Sequence, residues 1–320
     1  MRNIPLRRYW DLLVDHLRSQ RRRFGLLVAL LLSSIALQVL NPQLMRYFID
    51  TATSDKEGTP LVLVALAFIA VALSQQVLAV SATYIGENVA WTATNALRAE
   101  LAAHCLRLDM SFHSEHSPGE LIERIDGDVA ELSNFFSQLV IRVIGSLLLM
   151  AGILIVLFVE DWRLGIGFTA FALVTVTALN VVRSIAVPFD RALREAQADL
   201  SAFLEERLSG TEDIRANGAV EYVLQGLFKL QTVVLERWRK AGNRHIVVIL
   251  VAGMMLMVGF SIAFVSSYEL YRSGAFTIGT AYLVVYYTNQ MARPIRDLTQ
   301  QVESLQNIGA AVERLTELRS

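Results

Sequence analysis

MSFHSEHSPGELIERIDGD, residues 110–128, is a polar passage set between two long apolar segments. Within it Ser117-Pro118-Gly119-Glu120 reads as a helix start. A Ser N-cap accepts from the backbone N–H three residues on, Pro suits the first helical position, and a Glu at the third can reach back to the cap. The spacing predicts a helix ending near Asp109, a short cross-piece over residues 111–116, and a new helix from Pro118.

Hydrophobic residues make up 54% of the 320 positions and mean hydropathy is +0.43, high for a soluble chain of this size. Charge is bunched. The uncharged runs are Phe24–Met45, Gly58–Gly86, Val143–Val159, Leu164–Val182, His245–Tyr268 and Ser273–Ala292. Each is about long enough to cross a ~30 Å hydrocarbon core at ~1.5 Å per residue. The expected fold is an all-α membrane protein with six transmembrane helices.

Basic residues give the orientation. With both termini on one side, that side holds 24 Lys and Arg, and the other only Arg46, Lys56, Arg163 and Arg272. Both termini are therefore expected in the cytoplasm, in a multi-pass protein of the plasma (inner) membrane. The net charge of −1 averages an Arg-rich start with an acidic stretch from Asp109 to Glu131. A lone cysteine, Cys105, excludes an internal disulfide and a cysteine-based zinc knuckle.

Residues 1–23 place Ile4, Leu6, Tyr9, Trp10, Leu13, Val14 and Leu17 at helical spacing among Arg residues. An interfacial elbow helix is expected there, with Trp and Tyr at headgroup level. Asn41-Pro42 should kink or end the first span. The second segment finds no strong breaker between Leu61 and the opening stretch, so its helix leaves the bilayer and continues into the cytoplasm. From Pro118 the third returns with one apolar stripe: Leu121, Ile122, Ile125, Val129, Leu132 and Phe136. Glu160-Asp161-Trp162 is the whole of the next connection. The fourth and fifth segments repeat the plan, with a break at Ser209-Gly210, capping spacing from Ser209 to Glu212, and a kink expected at Pro188. The chain reads as one domain over 1–320: an elbow and basic segment to residue 23, then a six-helix core.

This arrangement closely resembles the transmembrane domain of ABC exporters, the family of multidrug, lipid and peptide efflux pumps. Three places carry the match. The first is Asp109-Met110-Ser111-Phe112, Pro118-Gly119-Glu120-Leu121, Arg124 and Asp128. The second is Leu208-Ser209-Gly210, Ile214-Arg215-Ala216 and Glu221. The third is Thr277-Ile278-Gly279, Tyr287, Pro294-Ile295 and Leu298, ending at Arg314-Leu315 and Glu317-Leu318. His113 departs from the pattern, where the family often has a second aromatic. Such exporters usually continue into a nucleotide-binding domain, and no Gly-Lys dipeptide exists in this sequence, so a phosphate-cradling G-x-x-x-x-G-K-[ST] loop is excluded. The chain itself is expected to be no enzyme and to bind no cofactor. ATP and Mg belong to the missing nucleotide-binding domain, which is expected to be truncated off rather than carried by a separate chain.

The resemblance implies a mechanism. Two such domains pair, as a homodimer or heterodimer, and each inner tip is a coupling helix seated in an ATPase domain. The second hairpin crosses to the partner subunit's ATPase. Closure of the ATPases on ATP switches the cavity from inward- to outward-facing. The residues it assigns to coupling are Ser111, Phe112, His113, Ser114, Glu115 and His116 at the first tip. At the second they are Asp213, Ile214, Arg215, Ala216 and Asn217. Phe112 is either an apolar anchor in a polar setting, the usual form of an interface hot spot, or a ring folded back between the arms.

His104, Cys105, His113, Glu115 and His116 are of metal-ligating type, but they are divided between a cross-piece and the helical turn before it, and no metal is expected. Glu87 and Arg142 stand at the inner ends of apolar spans, where charge is costly and usually paired. They are equally far along the two arms, so one reading pairs them across the hairpin and the other lets both snorkel. Of the polar residues in the spans (Ser33, Ser34, Gln38, Gln75, Gln76, Asn180, Thr288, Asn289, Gln290), the resemblance favours Asn289 and Gln290, with Tyr286 and Tyr287, as lining the cavity. The substrate expected is a hydrophobic or amphipathic small molecule, lipid or peptide; nucleic acid is not expected. Competing readings are a receptor or regulator on the exporter scaffold and an ion-coupled secondary transporter. The latter commonly shows mid-span carboxylates or broken helices, absent from these spans.

Overall fold

The computed structural model describes residues 20–54, 61–115 and 117–319. Among these the chain is helical, with no strand. The elbow expected over residues 1–23 lies outside the described residues as far as residue 19. In order, the elements are α1 (Arg21–Thr53), α2 (Leu61–Cys105), α3 (Met110–Glu115), α4 (Pro118–Ile122), a π-helical turn Glu123–Asp128, α5 (Val129–Ser137), a second π segment Gln138–Ile144, and α6 (Gly145–Glu160). Then come α7 (Trp162–Ser209), α8 (Thr211–Ala216), α9 (Val220–Arg272) and α10 (Ile278–Arg319). Among the described residues five helices are long and apolar enough to cross a membrane: α1, α2, the stretch Ile141–Glu160, α7 and α9. In α10 the apolar run is diluted by Thr280, Tyr282, Tyr286, Tyr287, Thr288, Asn289 and Gln290.

Helices gather into two compact units, one running to Ala170 and resuming at Gly259, the other spanning Phe171–Val258. In the first, α2 contributes a stripe of buried residues at helical spacing: Ala82, Gly86, Val89, Ala93, Leu97, Leu101 and Cys105. It packs on Leu27 and Leu31 of α1 and on Leu121, Val129 and Leu132. Small residues at the membrane end of this stripe allow close approach. A Cβ at Gly86 would lie 2.7 Å from Ile141 Cδ1 and 3.5 Å from Leu27 Cδ1.

Several local expectations change. α1 does not end at Pro42 but continues through it, with the proline buried inside the helix. The Tyr287 hydroxyl donates to the Val39 carbonyl at 2.6 Å, next to the Gln38 carbonyl that Pro42 leaves without its helical donor. The stripe after Pro118 is not continuous: Leu121, Val129 and Leu132 are buried, but Ile122 is 65% exposed. The π turn that begins at Glu123 spaces its bonds one residue wider than an α-helix, which shifts the face on either side. The capping spacing at Ser209 forms no cap either. Ser209 is the last residue of α7, Gly210 is the N-cap of α8 with no side-chain bond, and the Thr211 hydroxyl turns back to the Leu208 carbonyl at 2.6 Å.

In the second unit the two arms meet through small residues and a few cross-ties. A Cβ at Gly226 would come 2.9 Å from the Phe203 ring. The Arg244 guanidinium lies 4.9 Å over Phe189, and His245 Nε2 is 3.0 Å from Asp190 Oδ1.

Candidate functional site

The first tip is a tight turn closed by several backbone bonds. α2 closes with the Leu106 N–H donating to Ala102 O and Arg107 N–H to His104 O; the Phe112 N–H, near the start of α3, donates to Asp109 O. Within the short helix Ser111 and Ser114 are exposed, and the Ser114 hydroxyl donates to Ser111 O at 2.7 Å. Phe112 is half-buried and packs against the buried cluster to which Leu97, Leu101, Cys105 and Leu121 belong. The side chains standing out are Leu106, 83% exposed, and Met110, 81% exposed. His113 and Glu115 fall in the same short helix, and His116 lies outside the described residues. Among the described residues no three His, Cys, Asp or Glu come together as metal ligands.

At the second tip α8 has no buried residue. Asp213, Arg215, Ala216 and Asn217 are exposed and Ile214 is half-buried. Asn217 Nδ2 donates to Asp213 O at 2.9 Å, and the chain turns at Gly218, whose φ of +65° a Cβ would strain. The Ala219 N–H then donates to Ile214 O at 2.9 Å. This is a compact polar knob closing a hairpin of 48- and 53-residue helices.

A cavity of about 540 Å³ opens among α1, α2, Ile141–Glu160 and α10. Ser34, Gln38, Gln75 and Gln76 present neutral polar groups to it, and Arg142, Arg293 and Asp297 present charges. Asp297 Oδ2 accepts from the Ser146 hydroxyl at 2.8 Å and lies 3.9 Å from Arg293 Nε. The rest of its wall, such as Leu31, Ile35 and Leu149, is apolar. Glu87 and Arg142 are both exposed and stand next in sequence to Gly86 and Ile141, which touch.

Residues nominated on α10 divide. Tyr286 and Asn289 are exposed, and Tyr286 stacks loosely on Tyr282, with ring centroids 6.0 Å apart. Tyr287 is fully buried against α1. Gln290 is half-buried and its Oε1 has no partner. Two features have no forewarning in the sequence. One is the Ser146–Asp297 bond beside the cavity. The other is a polar cluster at the ends remote from the tips, where Arg46 pairs with Glu160, and Asp50 receives α10. The Thr277-Ile278-Gly279 motif, which carries part of the family resemblance, proves to be the start of α10, and nothing marked Asp50 as its partner.

Comparison with known proteins follows the same outline. The profile described as ABC transporter transmembrane region matches residues 24–295. The chain is 23% identical over 274 residues to an ATP-dependent lipid A-core flippase of Pseudoalteromonas translucida, covering 83% of this chain and 47% of that protein. It is 21% identical to the multidrug resistance-like ATP-binding protein MdlB of Buchnera aphidicola, over 97% of this chain and 54% of the relative. With the uncharacterized ABC transporter ATP-binding protein YfiC of Bacillus subtilis the identity is 22%, over 97% and 51%. The chain spans about half the length of these curated relatives.

Proposed function

The chain belongs to the ABC transporter transmembrane region family, and from that membership we propose that it is the membrane permease half of an ATP-driven exporter. α10 is the sixth spanning helix beside the five of higher hydropathy, both termini are cytoplasmic, and the protein resides in the plasma (inner) membrane. α3 and α8 are the coupling helices, and Ser111–His116 and Asp213–Asn217 are the residues that meet a nucleotide-binding domain. ATP and Mg act in that domain; the relatives named ATP-binding proteins are about twice as long as this chain. A second transmembrane domain completes the transporter.

The observation that carries this reading is the pair of six-residue helices at the tips: one follows the 45-residue α2 and precedes the segmented return from Pro118 to Glu160, and the other joins helices of 48 and 53 residues. Long continuous helices are levers, because bending one breaks backbone bonds that have few substitutes. A tip held on a moving ATPase passes its displacement along the whole arm. The cavity supports an amphipathic substrate: its wall joins apolar side chains to glutamine amides, two guanidinium groups and the Asp297 carboxylate. Glu87 and Arg142 act as a register-setting pair in the hairpin, a reading that fails if Glu87→Gln leaves folding and coupled transport intact.

The test is the complete transporter in lipid vesicles with spin labels at Ser111 and Arg215. ATP with Mg should change the mobility of both labels and drive substrate across the vesicle. Labels that do not respond to nucleotide would sink the coupling assignment.

A further inference from the structure

We propose that Leu106 and Met110, rather than Phe112, are the apolar anchors by which the first tip holds the nucleotide-binding domain; this rests on the reading of α3 as a coupling helix. A polar tip with one aromatic puts the anchor on the aromatic by default. The structure gives Phe112 another task. It is half-buried and packs against the hydrophobic cluster built from α1, α2 and the return arm, so it belongs to the interior of this unit.

Leu106 and Met110 are the reverse. Their exposures of 83% and 81% are the largest among the exposed large apolar side chains of the described residues. They are not loose, since the turn they flank is closed by the Leu106, Arg107, Leu108 and Phe112 backbone bonds. The neighbours Arg107, Asp109, Ser111 and Ser114 are exposed and polar. A small apolar centre on a rigid backbone, ringed by polar side chains, is the anatomy of a protein interface hot spot.

The bilayer is not their partner. The uncharged run of α2 ends at Gly86, and the helix continues to Cys105, a distance of about 30 Å at ~1.5 Å per residue. The occupant is the nucleotide-binding domain proposed above, offering an apolar socket with polar edges. Phe112 then acts as a positioning residue that keeps α3 at a fixed angle to the arm.

The experiment places a photo-crosslinking benzoylphenylalanine singly at positions 106, 110, 111, 112 and 114 of the complete transporter in membranes. Positions 106 and 110 should crosslink to the nucleotide-binding domain and 112 should not. The double variant Leu106→Ser with Met110→Ser should lower coupled transport by about tenfold or more, the size of a lost interface anchor, with folding intact. Leu106→Met with Met110→Leu should restore it. Crosslinking from 112 without 106 and 110, or crosslinks from 106 and 110 that join two copies of this chain, overturns the anchor assignment and leaves the coupling reading standing. Silence at all five positions overturns both.

Discussion

Asp50 caps α10 from the end of α1, across 229 residues of sequence: its Oδ1 accepts from the Gly279 N–H at 2.8 Å, and its Oδ2 from the Thr277 hydroxyl at 2.8 Å. The first amides of a helix have no partner inside it. Here a carboxylate of another helix supplies the acceptor, and its charge suits the positive end of the α10 dipole. Arg46 stands 3.7 Å from the same carboxylate and pairs with Glu160 at the end of α6, so three helix ends share one polar cluster.

Asp50→Ala removes that cap and should destabilise the protein by about 0.5–2 kcal/mol, the range of an N-cap loss. Asp50→Asn keeps an acceptor and should cost less. The thermal unfolding midpoint of the two variants in lipid nanodiscs orders them.

Gly279→Ala should be worse than Asp50→Ala. The added Cβ would sit 2.6 Å from both the Arg46 carbonyl oxygen and Asp50 Oδ1, and the carbonyl belongs to the backbone of a packed helix. Gly253→Ala is the control, because nothing lies within 4 Å of its Cβ. Its unfolding midpoint should match the parent protein or exceed it.

Leu101 and Leu106 lie five residues apart and should respond in opposite ways. Leu101 is 1% exposed in the hairpin core, so Leu101→Ala should cost about 2–5 kcal/mol, the transfer and cavity terms together. Leu106→Ala should leave the stability of the chain nearly unchanged. Chemical denaturation of the reconstituted chain measures both.

Tyr287→Phe loses the hydroxyl bond to the Val39 carbonyl beside Pro42. It should cost about 0.5–1.5 kcal/mol of stability, a net hydrogen bond. If Tyr287 is a tether between α1 and α10, substrate preference should stay as it is. A changed KM with an unchanged unfolding midpoint would place the ring in the substrate route.

What could be read in advance was what short-range chemistry writes. Pro118 at a helix start, Asp161 alone between α6 and α7, and the two short helices at the tips are all set by residues within a few positions of one another. The distribution of charge gave the long apolar helices for the same reason. Contacts between distant segments carry no such mark. Asp50 looks like any carboxylate before a polar loop, and its role comes from where α10 begins. Asp297 and Ser146 meet only because Ile141–Glu160 and α10 pack. Ile122 fits the apolar stripe by spacing and still faces out, since no residue type announces a π turn. Ser209 had the right spacing for a cap, but the arm kept it as its own last residue. Phe112 showed the limit most clearly: its type is that of an anchor, and only packing turns it inward.

The two π segments, Glu123–Asp128 and Gln138–Ile144, have a consequence for how this helix tolerates change in length. Each holds its bonds one residue wider than an α-helix, so each carries slack of about one residue, worth roughly 100° of rotation. Losing one residue there would convert the segment to α and turn everything beyond it back into ordinary phase. The same loss in α5 or α6 would throw the buried face out of register. Single-residue gaps among relatives should therefore collect at these two places, and substitutions on the two sides of each should follow different helical faces.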